Sequence, residues 1–444
     1  MNVTQLVPMF GNLAFVILAF VVALSVIVAI HEYGHYIVGR WCGIDAEVFS
    51  IGFGPVLWSR EDKRGTTWQL AALPIGGYVK FVGDANAASV GADESVTPPD
   101  PRRTMLGAPL WARTLTVAAG PAFNFIFAIA IFTGSILYQG RGVEPMAVGE
   151  IKDLPSSYVN ELRPGDSFVA VSGIPFTDPQ REGGLLDILP VTSNLDYTVL
   201  RDGTEIDVQG PFLMPPFVGG VSPRSAADDA GIQVNDVITE IDGEPVFAFP
   251  QVQEIVRAAD GASLDLTLWR DGRDVSVTLS PRRVDYPRPE GGFETMWLIG
   301  INGQLFFDPQ TEAIGPWEAM TTGVRQLWMM STTSLSALQH IMFGKISTCN
   351  LSGPVGIAET SGSMAKQGAQ SFIWFIGALS AAVGLINLFP IPVLDGGHLV
   401  FYAYEAIARR KPSERAVQVF MFVGLALILS MMSFTILNDT VLCP

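Results

Sequence analysis

The sequence predicts a polytopic α-helical membrane protein with four transmembrane helices. It adds two tandem α+β modules outside and a membrane-associated β-hairpin on the cytoplasmic side. Three observations predict this. Four runs reach the roughly 20 apolar residues a membrane crossing needs. Charged residues make up only 16% of the 444 positions, against about 25% in an ordinary soluble chain. A stretch of more than 200 residues between the second and third runs holds nearly all the net charge and reads as alternating strands and Gly turns.

The first run, Leu13 to Val38, is interrupted near its end by His31, Glu32 and His35. No Lys or Arg precedes it and no small-residue cleavage site follows, so it reads as a retained helix rather than a signal peptide. The other runs are Leu115 to Tyr138, Phe372 to Leu394 and Val417 to Leu437. Residues 39–113 hold eight basic side chains, Arg113 the last of them, and Arg409, Arg410, Lys411 and Arg415 lie between the last two runs. The positive-inside rule makes both segments cytoplasmic, so both termini and the long segment 139–371 face outward. That segment has 15 basic and 30 acidic residues, out of a formal net charge of -16 for the chain. Its acidity reads as solubility, and the overall charge argues against nucleic acid as a partner. The three cysteines, Cys42, Cys349 and Cys443, form no disulfide framework and no CxxC metal site, and a Cys349–Cys443 pair is left open.

The predicted organisation is residues 1–40, first helix; 41–114, cytoplasmic segment with the hairpin; 115–138, second helix; 139–215 and 216–305, the two outer modules. Residues 306–371 follow as an amphipathic membrane-surface segment, 372–400 as the third helix, 401–416 as a cytoplasmic loop and 417–444 as the fourth helix and outer tail. An internal repeat supports the modules. "ELRPGDSFVAVSGIPF" from Glu161 and "DAGIQVNDVITEIDGEPV" from Asp229 share a turn–strand–turn–strand pattern, and each is followed by an Arg-Asp-Gly hairpin signal. The modules resemble the PDZ domain, which captures peptides by strand addition. A closed groove is the competing reading.

His31-Glu32-Tyr33-Gly34-His35 is an HExxH motif on an apolar helix. Histidines at i and i+4 share one face and can share one metal ion, and the Glu is placed to take a proton from water the metal activates. Ionisable groups at membrane depth mark function by default. A third ligand is needed, and Asp395 in "NLFPIPVLDGGH" is the better candidate; His398 stands as the lesser one, with capping its alternative. Pro390 and Pro392 break the helix after Asn387, giving a cradle for an extended peptide or a plain kink. Asn387 can donate to a substrate carbonyl or oxyanion. "LPIGGYVKFVG", Leu73 to Gly83, reads as a hairpin around Gly76 and Gly77 at the membrane face. Asn124 in the second run bonds a neighbouring helix or contacts substrate. The stretch from Gly315 to Gly344 reads as an amphipathic surface helix or as packing, and Asp84 to Pro101 as a mobile loop. A transporter would spread its ionisable residues over several depths, and a receptor has no use for Glu32 between two histidines.

HEYGH together with Asn387-x-x-Pro390-x-Pro392-x-Leu394-Asp395-Gly396 resembles the site-2 protease family of intramembrane zinc metalloproteases. "FSIGFGP", "AAGPAFNFIFA" and "LSGPVGIA" extend the resemblance over essentially the whole chain. It implies one zinc ion held by His31, His35 and Asp395, with Glu32 as base, in a bacterial inner membrane. It implies substrates that are single-span membrane proteins, above all pre-trimmed anti-sigma factors in an envelope stress response, and signal-peptide remnants. The substrate helix must unwind to be cut, and hydrogen bonds near Gly76 and Gly77 are the expected support. Pro390 and Pro392 join Asn387 in the expected substrate cradle. The motif lies five to nine residues before Arg40, which places cleavage about 8–14 Å from the cytoplasmic edge.

Overall fold

A computed structural model describes residues 3–83, 100–176, 184–288 and 292–442. Most of the loop predicted from Asp84 to Pro101, and Cys443 of the pairing considered above, lie outside the described residues. The chain forms two compact units. One comprises Met1–Ser135, Trp317–Gln339 and Leu351–Pro444; the other comprises Ile136–Pro316 and His340–Asn350.

The first unit contains four helices long and apolar enough to cross a membrane: Leu13–Trp41, Leu110–Gln139, Ala369–Asn387 and Glu414–Leu442. Small residues let them approach. A Cβ on Gly34 would come within 2.6 Å of the Ala119 carbonyl oxygen, so the first and second helices nearly touch backbone to backbone. The third apolar run ends at Asn387, and a separate helix, Asp395–Ala408, begins after the break that holds both prolines.

Between the first two apolar helices the chain forms two long antiparallel strands, Ala46–Glu61 and Thr67–Phe81, joined by a turn at Asp62. The Asp62 carboxylate accepts from the Arg64 and Thr66 N–H groups, from the Trp68 indole and from the Tyr36 hydroxyl, which ties the turn to the first helix. Both strands bend, so residues 46–51 pair with 77–81 on one side and with 67–70 on the other. This corrects one expectation. "LPIGGYVKFVG" is not a hairpin of its own; Gly76 and Gly77 lie mid-strand. The glycines serve close packing instead. A Cβ on Gly77 would meet the Ser50 carbonyl oxygen at 2.7 Å and Val28 of the first helix at 3.0 Å, and one on Gly76 would overlap the Phe53 ring. Strand 77–81 thereby lies against the helix that carries the HExxH motif.

The helix Pro316–Met342 buries Ala319 and Gly323, the latter close against Thr133 of the second helix, while Trp317 and Trp328 are exposed. Its packing partner within the first unit is thus an apolar helix.

In the second unit the sequence repeat is a structural repeat. One four-stranded sheet runs Ile174–Pro175, Ser167–Val171, Asn194–Arg201, Thr204–Pro211; the other runs Glu244–Pro245, Val237–Ile241, Leu264–Arg270, Arg273–Leu279 in the same order. Both Arg-Asp-Gly hairpins turn through positive φ at Asp202–Gly203 and Asp271–Gly272. Each repeat also carries one ion pair between its first turn and its hairpin. Arg201 clasps Asp166 and Arg270 clasps Asp236, each through two nitrogens at 2.7 Å. The segment after the second sheet returns to the first: Phe307 pairs with Ile151, Pro309 with Val148 and Thr311 with Gly142, and Phe306 and Phe307 are fully buried in the first module's core. Sequence periodicity could not show this, because the contact spans about 150 residues.

Candidate active site

The HExxH turn of the first helix meets two other elements. His31 and His35 place their Nε2 atoms 3.1 Å apart. Asp395, first residue of the helix after the proline break, brings Oδ2 to 3.1 Å from His31 Nε2 and Oδ1 to 3.5 Å from His35 Nε2. One ligand atom from each residue lies within 4.8 Å of the others, the one such group of three among the described residues. The remaining ring nitrogens face the second helix. His35 Nδ1 is 2.8 Å from the Thr116 carbonyl oxygen, which can only accept, so Nδ1 carries the proton and Nε2 presents a lone pair. Asp395 Oδ2 is buried and receives no hydrogen bond. A lone pair and a carboxylate at 3–3.5 Å repel unless a cation lies between them. Ligands about 2.0–2.2 Å from a tetrahedral zinc stand about 3.3 Å from one another. The donor set, its spacing and its orphaned oxygen therefore fit zinc.

Glu32 lies in the same cavity, of about 290 Å³, which Gly77, Tyr78, Val79, Asn387 and His398 also line. The Glu32 carboxyl is in hydrogen-bonding reach of the Val79 backbone. Residues 77–79 of that strand thus border the cavity beside Glu32. Asn387 caps the cavity from the end of the third apolar helix. His398 lines it but stands outside the three converging ligands.

Not every predicted residue gathers here. Pro390 and Pro392 line a different cavity, of about 520 Å³, with Phe401, Tyr404 and Phe420. Pro392 also packs on Gly424 of the last helix. Their role visible in the structure is to break the helix so that Asn387 and Asp395 reach one site. Gly76 is turned to Phe53, whereas Gly77 lines the site.

Several residues at the site carried little or no signal in the sequence. Thr116 acts through its backbone. Arg113, counted above among loop charges, is buried and forms a two-nitrogen pair with Glu405 at 2.7 and 3.1 Å, with Tyr402 beneath its guanidinium. It fastens the helix of Asp395 to the helix of Thr116. An Arg at the start of an apolar run with a Glu ten residues after Asp395 was the available signal, but nothing in the spacing paired them.

A model of peptidase family M50 matches residues 19–431. The chain belongs to peptidase family M50, the site-2 proteases. Similar proteins agree over nearly full length. One named as a zinc metalloprotease in Rhizobium meliloti is 34% identical, covering 96% of this chain and 97% of that one. Another so named in Agrobacterium fabrum is also 34% identical, over 97% of this chain and 96% of its own. The regulator of sigma-E protease of Escherichia coli is 33% identical, over 95% and 97%. This M50 protein is accordingly a zinc metalloprotease, and its four apolar helices fit the membrane setting of the site-2 group.

Proposed function

We propose that this M50 protease cuts the transmembrane segment of single-span membrane proteins, with His31, His35 and Asp395 holding zinc and Glu32 acting as base. The convergence of those three side chains beside Glu32, two of them on an apolar helix and all in a cavity lined by strand residues 77–79, carries the reading. The bound ion would acidify a water and polarise the scissile carbonyl. Glu32 takes the proton from that water as its oxygen adds to the carbonyl carbon. It then gives the proton to the departing amide nitrogen, so that the C–N bond breaks to a carboxylic acid and an amine, and the acid's remaining proton passes to the amine to leave a carboxylate and an ammonium. Asn387 donates its amide N–H to the oxyanion that develops. A helical substrate must first unwind, and the edge of strand 77–81 offers backbone groups to an extended chain in place of the lost helix bonds. Gly77 keeps that edge close to Glu32.

The substrate class follows from the setting. The resemblance to the regulator of sigma-E protease favours an anti-sigma factor trimmed on its outer side, with signal-peptide remnants as a second class. The favoured placement is the bacterial inner membrane with the termini and the PDZ-like modules on the periplasmic side. We assign the modules the role of excluding substrates with bulky outer domains. The second module, with a cavity of about 240 Å³ between the helix Phe249–Ala258 and residues 298–302, is the better candidate for holding a peptide end.

Cleavage of a single-span substrate by the purified protein in liposomes tests the activity. The expected result is cutting within the apolar segment, lost on zinc chelation and restored by zinc. Cutting that persists in metal-free protein would overturn it. For the modules, the structure chooses the deletion. Gly140 sits against Glu312, and residues 141–312 pair at both ends, so replacing 141–312 with a short Gly-Ser linker leaves no half-sheet behind. That variant should cut a substrate with a folded outer domain as fast as one without. An unchanged preference would remove the filter role.

A further inference from the structure

The second helix presents Thr116, Gly120 and Asn124 to the HExxH turn, spaced four residues apart on one face. The first helix presents His35 and His31 at the same spacing, and the rows match: His35 meets Thr116 and His31 meets Asn124. Between them Gly120 leaves the room the imidazoles need, since a Cβ there would stand 2.3 Å from His35 Nε2 and 2.8 Å from His31 Cε1. Pro121, inside this helix, removes the N–H that the Val117 carbonyl would accept and loosens the turn on which the Thr116 carbonyl faces His35.

Asn124 is fully buried, and its side-chain amide lies 3.1 Å from His31 Nδ1. Its Oδ1 has no partner among the described residues. Ser380, also fully buried, donates to the Asn124 carbonyl oxygen at 3.0 Å, and Gly384 packs against its Cβ, so the third apolar helix holds the residue in place. The two amide orientations differ in chemistry, and which one is drawn is an assignment. With nitrogen toward the ring, Asn124 donates to Nδ1 and forces the proton onto Nε2, where a metal ligand needs a lone pair. With oxygen toward the ring, Oδ1 gains the partner it lacks, Nδ1 keeps its proton, and Nε2 is free.

We propose that Asn124 is the positioning residue for His31, accepting its Nδ1–H through Oδ1 as the Thr116 carbonyl accepts that of His35, so that the second helix sets the tautomer of both zinc-ligating histidines. The inference rests on the zinc reading above and goes beyond it. It makes the Thr-x-x-x-Gly-x-x-x-Asn face a part of the metal site that touches neither substrate nor metal.

Zinc affinity of the purified full-length protein, measured by competition with a chromogenic chelator, tests it. Asn124→Leu keeps the volume and removes the acceptor, and should weaken zinc binding about 10–100-fold. Asn124→Asp keeps an acceptor oxygen and should restore affinity to within a few-fold of wild type. Melting temperatures of the metal-free proteins separate positioning from packing, and the Leu variant should melt with the wild type. Wild-type zinc affinity in Asn124→Leu would overturn the proposal. So would a loss of affinity that Asp does not restore and that goes with a lower metal-free melting temperature. Absence of stoichiometric zinc in the wild-type protein would instead sink the underlying zinc reading.

Discussion

Buried carboxylates in the two units have opposite fates. In the second unit Asp166 and Asp236 are each 1% exposed and each is clasped by an arginine through two nitrogens. Their hydrogen-bonding capacity is further used by backbone N–H groups, from Arg163 and Gln233. In the first unit Asp395 faces the Nε2 atoms of His31 and His35, and its Oδ2 receives no hydrogen bond among the described residues. Leaving a charge so placed costs several kcal/mol unless something compensates it. A carboxylate matched by a guanidinium is a rivet. A carboxylate set against two imidazoles has the donor set of a metal site. The first unit contains both kinds, since Arg113–Glu405 clasps two helices a few turns from Asp395.

The sharpest way to break this comparison is to remove the groups on the metal side. Glu32→Gln should keep zinc and lose roughly 10⁴-fold in turnover, near the upper range for general acid–base catalysis. His31→Ala and Asp395→Ala should lose both, with metal content measured beside peptide-bond cleavage. A Glu32→Gln variant cutting at the wild-type rate would remove the base from the mechanism. Asn387→Leu comes next. It should hold zinc fully and lose about 10²–10³-fold in rate, as expected for one oxyanion donor. Loss of zinc in that variant would place Asn387 in support of the metal instead.

On the rivet side the effect falls on stability. Asp166→Ala should destabilise the second unit by about 3 kcal/mol, because Arg201 is left partly buried without its partner. Cleavage of a substrate lacking an outer domain should not change. Urea unfolding of the second unit, read beside that cleavage assay, separates the two outcomes. The smallest effect is with pH. Burial alone would raise the Asp166 carboxyl, but the Arg201 hydrogen bonds, the Arg163 N–H and the guanidinium charge together hold it below its ordinary value. A folded pKa below the unfolded value of about 3.9 gives stability that is full above that pH and lost as pH falls through the folded value. The melting temperature of the wild-type second unit should therefore drop below about pH 4, and Asp166→Ala should flatten that part of the curve. An equal acid slope in both proteins would show that other groups dominate.

Much of the molecule was legible in the chain itself, for reasons that differ by region. A membrane crossing needs length and apolarity, both local, so four helices long and apolar enough to span follow from composition. HExxH is legible because two histidines one helical turn apart must share a face. Asp395 is legible because a carboxylate after an apolar run needs a partner. The Arg-Asp-Gly hairpins are local turn chemistry. Gly76–Gly77 misled because the same residue serves a turn and a close approach, and only the helix lying against the strand shows which. Pro390 and Pro392 were rightly placed as helix breakers, yet their side chains point to a cavity lined by the last helix. That depends on where Gly424 lies, which no local pattern encodes. The return of Phe306 and Phe307 to the first module, the Arg113–Glu405 clasp and the match of Thr116 and Asn124 to His35 and His31 join residues about 80 to 290 positions apart. The sequence determined which groups had to be satisfied. Tertiary packing alone decided by whom, because each such partner was selected by burial and distance rather than by spacing along the chain.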